Sequence, residues 1–258
     1  MKYTRLREME EYILSKDYVS LNELCAVFDK SMNTIRRDVA ELVKDGSVKK
    51  LYGGVRTAKP QSGTLVSFTE RTIKREKEKQ LIGKLAAQLI QDGDIIFLDS
   101  GTTTLNIIPH IPPGINVTIL TNNLAVINAS TGNPGISIIA FGGRLNPDTA
   151  SFSSRFMDMD FLRSFNVNKA FMAATGVSVE SGATNSSQEE LPIKKAMVER
   201  SNMRILVADA TKFGQRALLT YAELSKFNVV VSDKTPGTEV MDFFSEHHIS
   251  LLVPGGEM

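Results

Sequence analysis

The feature that most constrains the fold is an alternation, along residues 95–253, of short apolar runs with helical segments. Six of the apolar runs end in small and polar residues. This alternation is typical of α/β proteins with a largely parallel sheet. The predicted strands are 95–98, 117–120, 136–141, 169–173, 205–208, 229–231 and 249–253. The predicted helices are 103–108 (stopped by Pro109), 124–129 and 189–201 (with Pro192 in its first turn).

The first of these strands ends in a Gly/Thr-rich loop that opens a helix. The backbone N–H groups of such a loop and the N-terminus of the helix both favour an anion. We therefore predict a phosphate site, with Gly101 permitting close approach of the backbone. Its predicted residues are Ser100, Gly101, Thr102, Thr103 and Thr104.

Other strand ends are expected at the same edge, because ligands of open α/β sheets bind at the carboxyl ends of the strands. Lys195 and Lys212 are predicted to neutralise the phosphate, and Asp99 and Asp209 to contact sugar hydroxyls. Two simpler interpretations stay open. Asp99 would also suit a helix cap, and Lys195 an exposed helix surface.

Residues 1–57 carry a different pattern. Apolar spacing predicts a first helix at 4–16, and Ser20-Leu21-Asn22-Glu23 is a capping box that starts a second helix at 21. Ser31 is placed to cap a third helix, which ends at Asp45-Gly46. Two short helices joined by a tight turn predict a helix-turn-helix, and 48–56 predicts a basic hairpin, or wing.

The third helix would read DNA in the major groove, and the hairpin would contact the backbone. A solvated helix face is the alternative for Arg36 and Arg37, with Asp38 and Glu41 partly neutralising them. The ordered series of capping box, turn, paired arginines and basic hairpin favours DNA. The predicted contacts are Ser31, Asn33, Thr34, Arg36, Arg37, Lys49, Lys50 and Arg56.

Composition supports this division. Residues 1–59 hold 12 Lys/Arg and 9 Asp/Glu, whereas residues 60–258 hold 18 and 20, so a mildly basic head precedes a mildly acidic body. The single cysteine, Cys25, suits a helical core, and the three histidines lack metal-binding spacing, so we expect neither disulfide nor metal nor cofactor. Without an apolar run of membrane-spanning length, a cytoplasmic protein is expected.

A breaker-rich segment, 58–69, is the predicted linker, and a charged amphipathic helix is predicted at 70–91. The mixed-charge run within it, 74–79, is interpreted as a solvated face. The predicted domains are therefore 1–57, which binds DNA, and 70–258, which binds the phosphorylated ligand.

The motifs resemble the DeoR family of bacterial regulators of sugar metabolism. The matching stretches are 19–24, 34–38 and 52–55 in the head, and 98–104, 121–122, 142–143, 195–197 and 208–214 in the body. The resemblance implies a winged helix-turn-helix followed by an α/β sugar-phosphate sensor domain similar to ribose-phosphate isomerases and CoA transferases. It adds Asn122, Gly143 and Glu189 to the predicted effector site, where either Glu189 or Glu190 could face the ligand.

Within the family, segments 8–15, 168–176 and 218–222 are similar to repressors of myo-inositol catabolism. This implies a repressor that binds operator double-stranded DNA as a homo-oligomer, a dimer or tetramer. Its effector would be a phosphorylated sugar, in that subfamily a keto-deoxy-gluconate phosphate. The alternatives are a DeoR-type regulator of another sugar and a sugar-phosphate isomerase with an appended DNA-binding domain. The strand at 171–176 lacks the acidic residues that an isomerase base requires.

Overall fold

The computed structural model describes residues 2–16, 18–44, 48–51, 53–57 and 67–255, which form two compact units, residues 1–64 and 65–258. The units are considered separately. The predicted helix end at Asp45-Gly46 and residues 58–66 of the predicted linker lie outside the described residues.

The N-terminal unit contains three helices and a three-stranded antiparallel sheet. The helices are α1 (Lys2–Lys16), α2 (Leu21–Phe28) and α3 (Met32–Lys44), and the strands are β1 (Tyr18–Ser20), β2 (Val48–Leu51) and β3 (Gly54–Thr57). Sheet order is β1-β3-β2. The three predicted helices and the hairpin are confirmed, whereas β1, only three residues long, was missed.

Local sequence explains where α2 and α3 begin. Ser20 Oγ accepts a hydrogen bond from the Glu23 backbone N–H at 3.1 Å, and Ser31 Oγ accepts one from the Thr34 N–H at 3.4 Å. Apolar residues at helical spacing then close one core, in which Met9, Ile13, Leu24 and Ile35 are fully buried. Each such side chain contributes about 1.5–3 kcal/mol of burial free energy.

The C-terminal unit is built on a seven-stranded parallel sheet, as predicted. Its strand order is β15-β14-β12-β9-β4-β5-β6. The bounds are β4 (Ile95–Leu98), β5 (Val117–Thr121), β6 (Ile136–Ala140), β9 (Val167–Ala173), β12 (Ser201–Val207), β14 (Val229–Val231) and β15 (Ser250–Leu252). One apolar cluster packs on each face of this sheet, around Phe97 and Met172 on one face and Ile96 and Phe171 on the other.

Helices and short strands surround the sheet. The helices are α4 (Phe68–Ile73), α5 (Glu76–Ala87), α6 (Thr102–Leu105), α7 (Leu124–Ser130), α8 (Met159–Arg163), α9 (Leu191–Arg200) and α10 (Thr238–Glu246). The remaining strands are β7 (Leu145–Asn146), β8 (Ser151–Phe152), β10 (Gly176–Ser178), β11 (Gly182–Asn185) and β13 (Leu219–Ala222). Strands β10, β11 and β13 form a small separate sheet.

Two predicted helices differ from the structure. The single helix predicted at 70–91 is α4 and α5, broken at Lys74 and at Arg75, whose φ of 56° is left-handed. Residues 67–69, predicted to belong to the linker, are the cap and first turn of α4. The helix predicted at 103–108 is the four-residue α6, and Pro109 lies inside a separate 3₁₀ turn, Ile108–His110. Proline is accepted there because the first N–H groups of a helical turn lack internal partners.

Candidate DNA-binding surface and ligand site

Helix α3 presents a polar face opposite its core face. Ile35, Val39 and Leu42 are buried, whereas Asn33, Arg36 and Arg37 are exposed and Thr34 is half-buried. Within the described part of the chain, neither Arg36 nor Arg37 has an ion-pair partner. The Ser31 hydroxyl lies 3.0 Å from Thr34 Oγ1 and caps the helix, so it has a structural task besides the predicted DNA contact.

Asp38 does not belong to this polar face. Its side chain is buried and accepts two hydrogen bonds from Arg5, at 2.7 Å from Nε and 3.1 Å from Nη2. This pairing raises the pKa of Arg5 above its ordinary value. The suggestion that Asp38 neutralises Arg36 and Arg37 is therefore wrong, because one residue along a helix turns a side chain by about 100°. Asp38 instead connects α1 to α3.

The register of the wing separates its three cations. Lys49 pairs with Arg56, which in turn pairs with Tyr18, so these three share one face of the sheet. Lys50 pairs with the buried Val55 and projects from the other face, exposed near the hairpin turn. Opposite projections follow from the period of two along a strand. The wing thus offers basic groups on both of its sides.

In the C-terminal unit, the loop after β4 is tightly tied to itself. Thr104 Oγ1 lies 2.6 Å from the Asp99 carbonyl oxygen and 2.7 Å from that of Gly101, and the Thr104 side chain is fully buried. A Cβ on Gly101 would lie 2.2 Å from the Cβ of Ala173. Gly101 is thus required for a close approach to β9. The hydroxyls of Thr102 and Thr103 have no hydrogen-bond partner among the described residues.

Asp99 has a structural position below this loop. Its Oδ1 accepts from the Ser100 N–H at 2.8 Å, and its Oδ2 accepts from the Ala173 N–H at 2.9 Å and from Lys194 Nζ. Asp99 is only 1% exposed, so its carboxylate joins the ends of β4, β9 and α9. It is not the cap of α6 either, because Gly101 occupies the N-cap position.

The lysine that faces this edge is Lys194, not the predicted Lys195. Lys194 is 3% exposed, donates to the Ala173 carbonyl at 3.1 Å and lies 4.9 Å from the ring centroid of Tyr221. Lys195 is exposed on the opposite side of α9. Burial and the nearby Asp99 raise the pKa of Tyr221, so its hydroxyl stays protonated and donates to the Ala173 carbonyl at 3.1 Å.

The two neighbouring glutamates, Glu189 and Glu190, also differ in burial. Glu190 is buried and accepts from Ser151 Oγ at 3.0 Å, whereas the Glu189 side chain is half-exposed and its backbone carbonyl accepts from Ser154 Oγ at 2.6 Å. Of the pair whose orientation the sequence left open, Glu190 is the residue that turns inward.

Asn122 directly follows β5, and Gly143 lies three residues after β6. Asn122 Nδ2 donates to the Phe152 carbonyl at 3.1 Å, while its buried Oδ1 has no partner among the described residues. Gly143 has a φ of 147°, a conformation that side-chain-bearing residues rarely adopt. An unpartnered buried acceptor is costly unless a ligand hydroxyl or a water donates to it.

A group of cations lies near Asp209, at another part of the carboxyl edge of the sheet. Asp209 is buried, its Oδ1 accepts from the Thr211 N–H at 3.1 Å, and Arg75 Nε lies 3.8 Å from the same oxygen. Burial lowers the pKa of Lys212, with Asp209 opposing and Lys74, Arg71 and Arg75 lowering it further. Burial likewise lowers the pKa of Lys79 to about 8, opposed by Asp209 and reinforced by Lys212, Arg71 and Lys74. We call Arg71, Lys74, Lys79 and Lys212 the elbow cation cluster.

The sequence interpretation missed three members of this group. Lys74 and Lys79 belong to the run described as a solvated face, yet Lys79 is 5% exposed. Arg71 lies outside that run; burial lowers its pKa, while Glu190 and Asp99 raise it. The usable signal was the apolar spacing of the helix, because Lys79, Ile82, Gly83 and Ala86 share its buried side.

No group of three metal-ligating side chains occurs among the residues that the structure describes. In the same described segments, no helix combines the length and the apolar character needed to cross a bilayer.

Comparison with known proteins gives a consistent picture. Residues 5–61 match the DeoR-like helix-turn-helix domain and residues 74–234 the DeoR C terminal sensor domain. The chain is 43% identical to the HTH-type transcriptional regulator IolR of Bacillus subtilis (strain 168), over 97% of this chain and 99% of that protein. It is 30% identical to the glycerol-3-phosphate regulon repressor of Escherichia coli (strain K12), over 93% and 94% of the two chains.

Among solved structures, ribose 5-phosphate isomerase A of Methanocaldococcus jannaschii aligns with a TM-score of 0.41 at 16% identity. The alignment covers 54% of this chain and 55% of that one.

Proposed function

Because this chain belongs to the DeoR family of DNA-binding transcriptional repressors, we propose that it represses a carbohydrate catabolic operon and leaves its operator when a phosphorylated sugar binds. One observation supports the effector most directly. The carboxyl edge of the sheet combines the hydroxyls of Thr102 and Thr103, which have no partner among the described residues, with the elbow cation cluster, in which Lys79 is buried and Lys212 is half-buried. Cations that are removed from water require a counter-anion, and a phosphate supplies one.

In the proposed complex, the phosphate binds the backbone and hydroxyls of 100–104, and Lys212 neutralises it. Helix α6 is only four residues long, so the contribution of its dipole is smaller than the sequence suggested. Asn122 Oδ1 would accept from a sugar hydroxyl. In this proposal, Asp99 and Lys194 hold the loop in place and do not contact the ligand. Glu190 takes the place of Glu189 in the effector site, and Lys195 is not part of that site.

The proposed class of effector is inferred from the charge of the site and from the similarity of the chain to known regulators. Lys74, Lys79 and Lys212 of the elbow cation cluster lie near the single carboxylate of Asp209, so cations are in excess there. A phosphorylated sugar acid, such as a keto-deoxy-gluconate phosphate, carries a second anionic group that this excess accommodates. The 43% identity to the transcriptional regulator IolR of Bacillus subtilis, together with the similarity of segments 8–15, 168–176 and 218–222 to repressors of myo-inositol catabolism, supports inositol catabolism as the pathway.

For DNA, the proposed reader is the exposed face of α3, supported by the wing. A symmetric homo-oligomer, a dimer or tetramer, would place two heads on two half-sites of the operator. The effector acts as an inducer if it binds more tightly to a conformation whose heads no longer match that spacing.

We expect Arg37→Ala to weaken operator binding at least tenfold, because a lost base or phosphate contact costs about 1–3 kcal/mol. Effector affinity should stay unchanged. Fluorescence anisotropy of a labelled operator measures the effect. Lys84→Ala, which removes an exposed cation from α5, is the matched control for total charge. Equal losses in the two variants would assign the effect to charge alone.

Lys212→Ala is expected to leave DNA affinity intact and to weaken the effector about 10- to 100-fold, since charge-assisted hydrogen bonds contribute about 1.5–3 kcal/mol. Titration of the protein–operator complex with effector measures the midpoint of release. Lys226→Ala, which removes an exposed lysine from the same unit, provides the control. Normal release from the Lys212→Ala complex would remove Lys212 from the site.

The deciding experiment for the whole proposal uses labelled DNA from upstream of this gene and of neighbouring sugar-utilisation genes. The complex is titrated with a panel of sugar phosphates, including the inositol-derived keto-deoxy-gluconate phosphate. Release by that compound alone supports the inositol pathway, and release by another sugar phosphate moves the protein to a different pathway. If the protein binds DNA tightly and no compound releases it, the sensor role is contradicted and the isomerase-like enzyme is favoured. Glu190 and Asp209 would then be the candidate carboxylate bases.

A further inference from the structure

One buried lysine of the C-terminal unit differs from the other two. Lys169 Nζ lies 2.5 Å from Asp94 Oδ2, and Lys194 Nζ pairs with Asp99. Lys79 is equally buried, at 5% exposure, but has no carboxylate within ion-pair distance among the described residues. Its one hydrogen-bond partner there is the backbone carbonyl of Arg71. A buried ammonium without a counter-charge is unfavourable and calls for an anion.

The groups facing Lys79 are mostly cationic. Lys212 and Asp209 approach from the segment after β12, and Arg71 and Lys74 from α4. The carboxylate of Asp209 is already engaged by Thr211 and by Arg75 at 3.8 Å. An ammonium has three donors, and the Arg71 carbonyl occupies one of them. The other donors of the ammonium have no partner among the described residues, and an anion bound near Lys79 and the neighbouring Lys212 would supply one.

Lys79 also joins two helices. Its side chain reaches from the first turn and a half of α5 across the break at Lys74 and Arg75 to a carbonyl of α4. At the start of helix α4, the Phe68 N–H donates to the Asp148 carbonyl at 2.7 Å, and the helix also contacts α6. Because α4 directly follows the segment between the two units, its attachment to α5 is well placed to pass on the state of the ligand site.

We propose that Lys79 binds an anionic group of the effector and, through its hydrogen bond to the Arg71 carbonyl, locks α4 onto α5 when the ligand is present. This inference rests on the proposed function. It makes α4 the element that carries the ligand signal towards the DNA-binding unit, and it assigns to Lys79 both binding and transmission. An anion shared with Lys212 compensates the buried charge and strengthens every hydrogen bond of the ammonium.

The test compares the full-length wild type with Lys79→Met, which removes the charge, and Lys79→Gln, which keeps a donor for the Arg71 carbonyl. Lys77→Met removes an exposed lysine of the same helix and is the matched control. The probes are inorganic phosphate and 6-phosphogluconate, compared with sodium chloride at equal ionic strength. The measurements are thermal unfolding, hydrogen exchange of residues 68–73, and release of labelled operator DNA.

We expect both probes to raise the unfolding temperature of the wild type and of Lys77→Met, and 6-phosphogluconate to slow exchange in α4. In Lys79→Met and Lys79→Gln, the probes should bind at least tenfold more weakly and leave exchange in α4 unchanged. Without any probe, Lys79→Met should be at least as stable as the wild type, because an uncompensated buried charge is gone.

Two results would overturn the inference. One is wild-type affinity and wild-type protection of α4 in both Lys79 variants. The other is a lower unfolding temperature of probe-free Lys79→Met, which would mean that the ammonium is satisfied internally. The proposed function fails separately, if no phosphorylated compound releases wild-type protein from DNA; the probe-free stability and the response to inorganic phosphate still decide the role of Lys79.

Discussion

Lys194→Met is expected to destabilise the C-terminal unit by about 3–5 kcal/mol, whereas Lys195→Met should change its stability by less than about 0.5 kcal/mol. The two lysines are neighbours in α9, but only Lys194 is buried and paired with Asp99. Removing it leaves the Asp99 carboxylate buried, 1% exposed, without its counter-charge. Urea denaturation at neutral pH, followed by circular dichroism, measures the difference between the variants.

If Lys194 stabilises the unit through its ion pair with Asp99, a second result is expected. In the double variant Asp99→Asn/Lys194→Met no uncompensated charge remains, so part of the loss should be recovered and the two substitutions should not be additive. Additive losses would mean that Lys194 acts by packing against Tyr221 and not by pairing with Asp99. Equal destabilisation by Lys194→Met and Lys195→Met would contradict the orientation of α9 itself.

Lys194 and Lys195 also show which feature of the site the sequence alone does not predict. The motif located the functional segment in α9, but adjacent residues of a helix differ by about 100° in direction. Only the rotation of α9 against the sheet decides which lysine turns inward, and that rotation depends on contacts distant in sequence. Glu189 and Glu190 pose the same problem immediately before the helix, where the sequence left the orientation open and the structure turns Glu190 inward.

The fold was more predictable than the site. Buried parallel strands are continuous apolar runs, such as Val229–Val231, and this local signal does not depend on tertiary context. The strands that were missed, such as Gly182–Asn185, are short and rich in small polar residues. The helix break at Arg75 was also invisible, because a left-handed arginine has no sequence signature and is held by tertiary contacts.

The Gly/Thr-rich loop between β4 and α6 was predictable as a strand-to-helix connection because its signal lies in consecutive residues. The elbow cation cluster was not, since a run of mixed charges in sequence usually indicates a solvated helix surface. Lys79 departs from that rule because α5 packs against the sheet with Ile82 and Ala86 on the same side. Arginine and lysine stems suit such partly buried positions, which sequence alone does not distinguish from exposed ones.

Gly101→Ala is the second substitution for which we expect a large effect. The added Cβ would lie 2.2 Å from the Ala173 Cβ, and both atoms belong to short side chains that cannot move away. The loop must therefore shift from β9, at an overpacking cost of about 1–3 kcal/mol, and the proposed phosphate site at 100–104 would shift with it. We expect effector affinity to fall at least tenfold, measured as the effector concentration that releases operator DNA, while DNA affinity itself is unchanged.

A compensating substitution tests this explanation directly. Ala173→Gly removes the opposing Cβ and should be neutral by itself, whereas Gly101→Ala is impaired. The double variant Gly101→Ala/Ala173→Gly should therefore regain most of the effector affinity that Gly101→Ala loses. Gly142→Ala is the control, because a Cβ at Gly142 meets nothing within 4 Å. If Gly101→Ala alone responds to effector as the wild type does, the loop does not hold the phosphate. If the double variant stays as weak as Gly101→Ala, the glycine serves the ligand directly and not the close approach to β9.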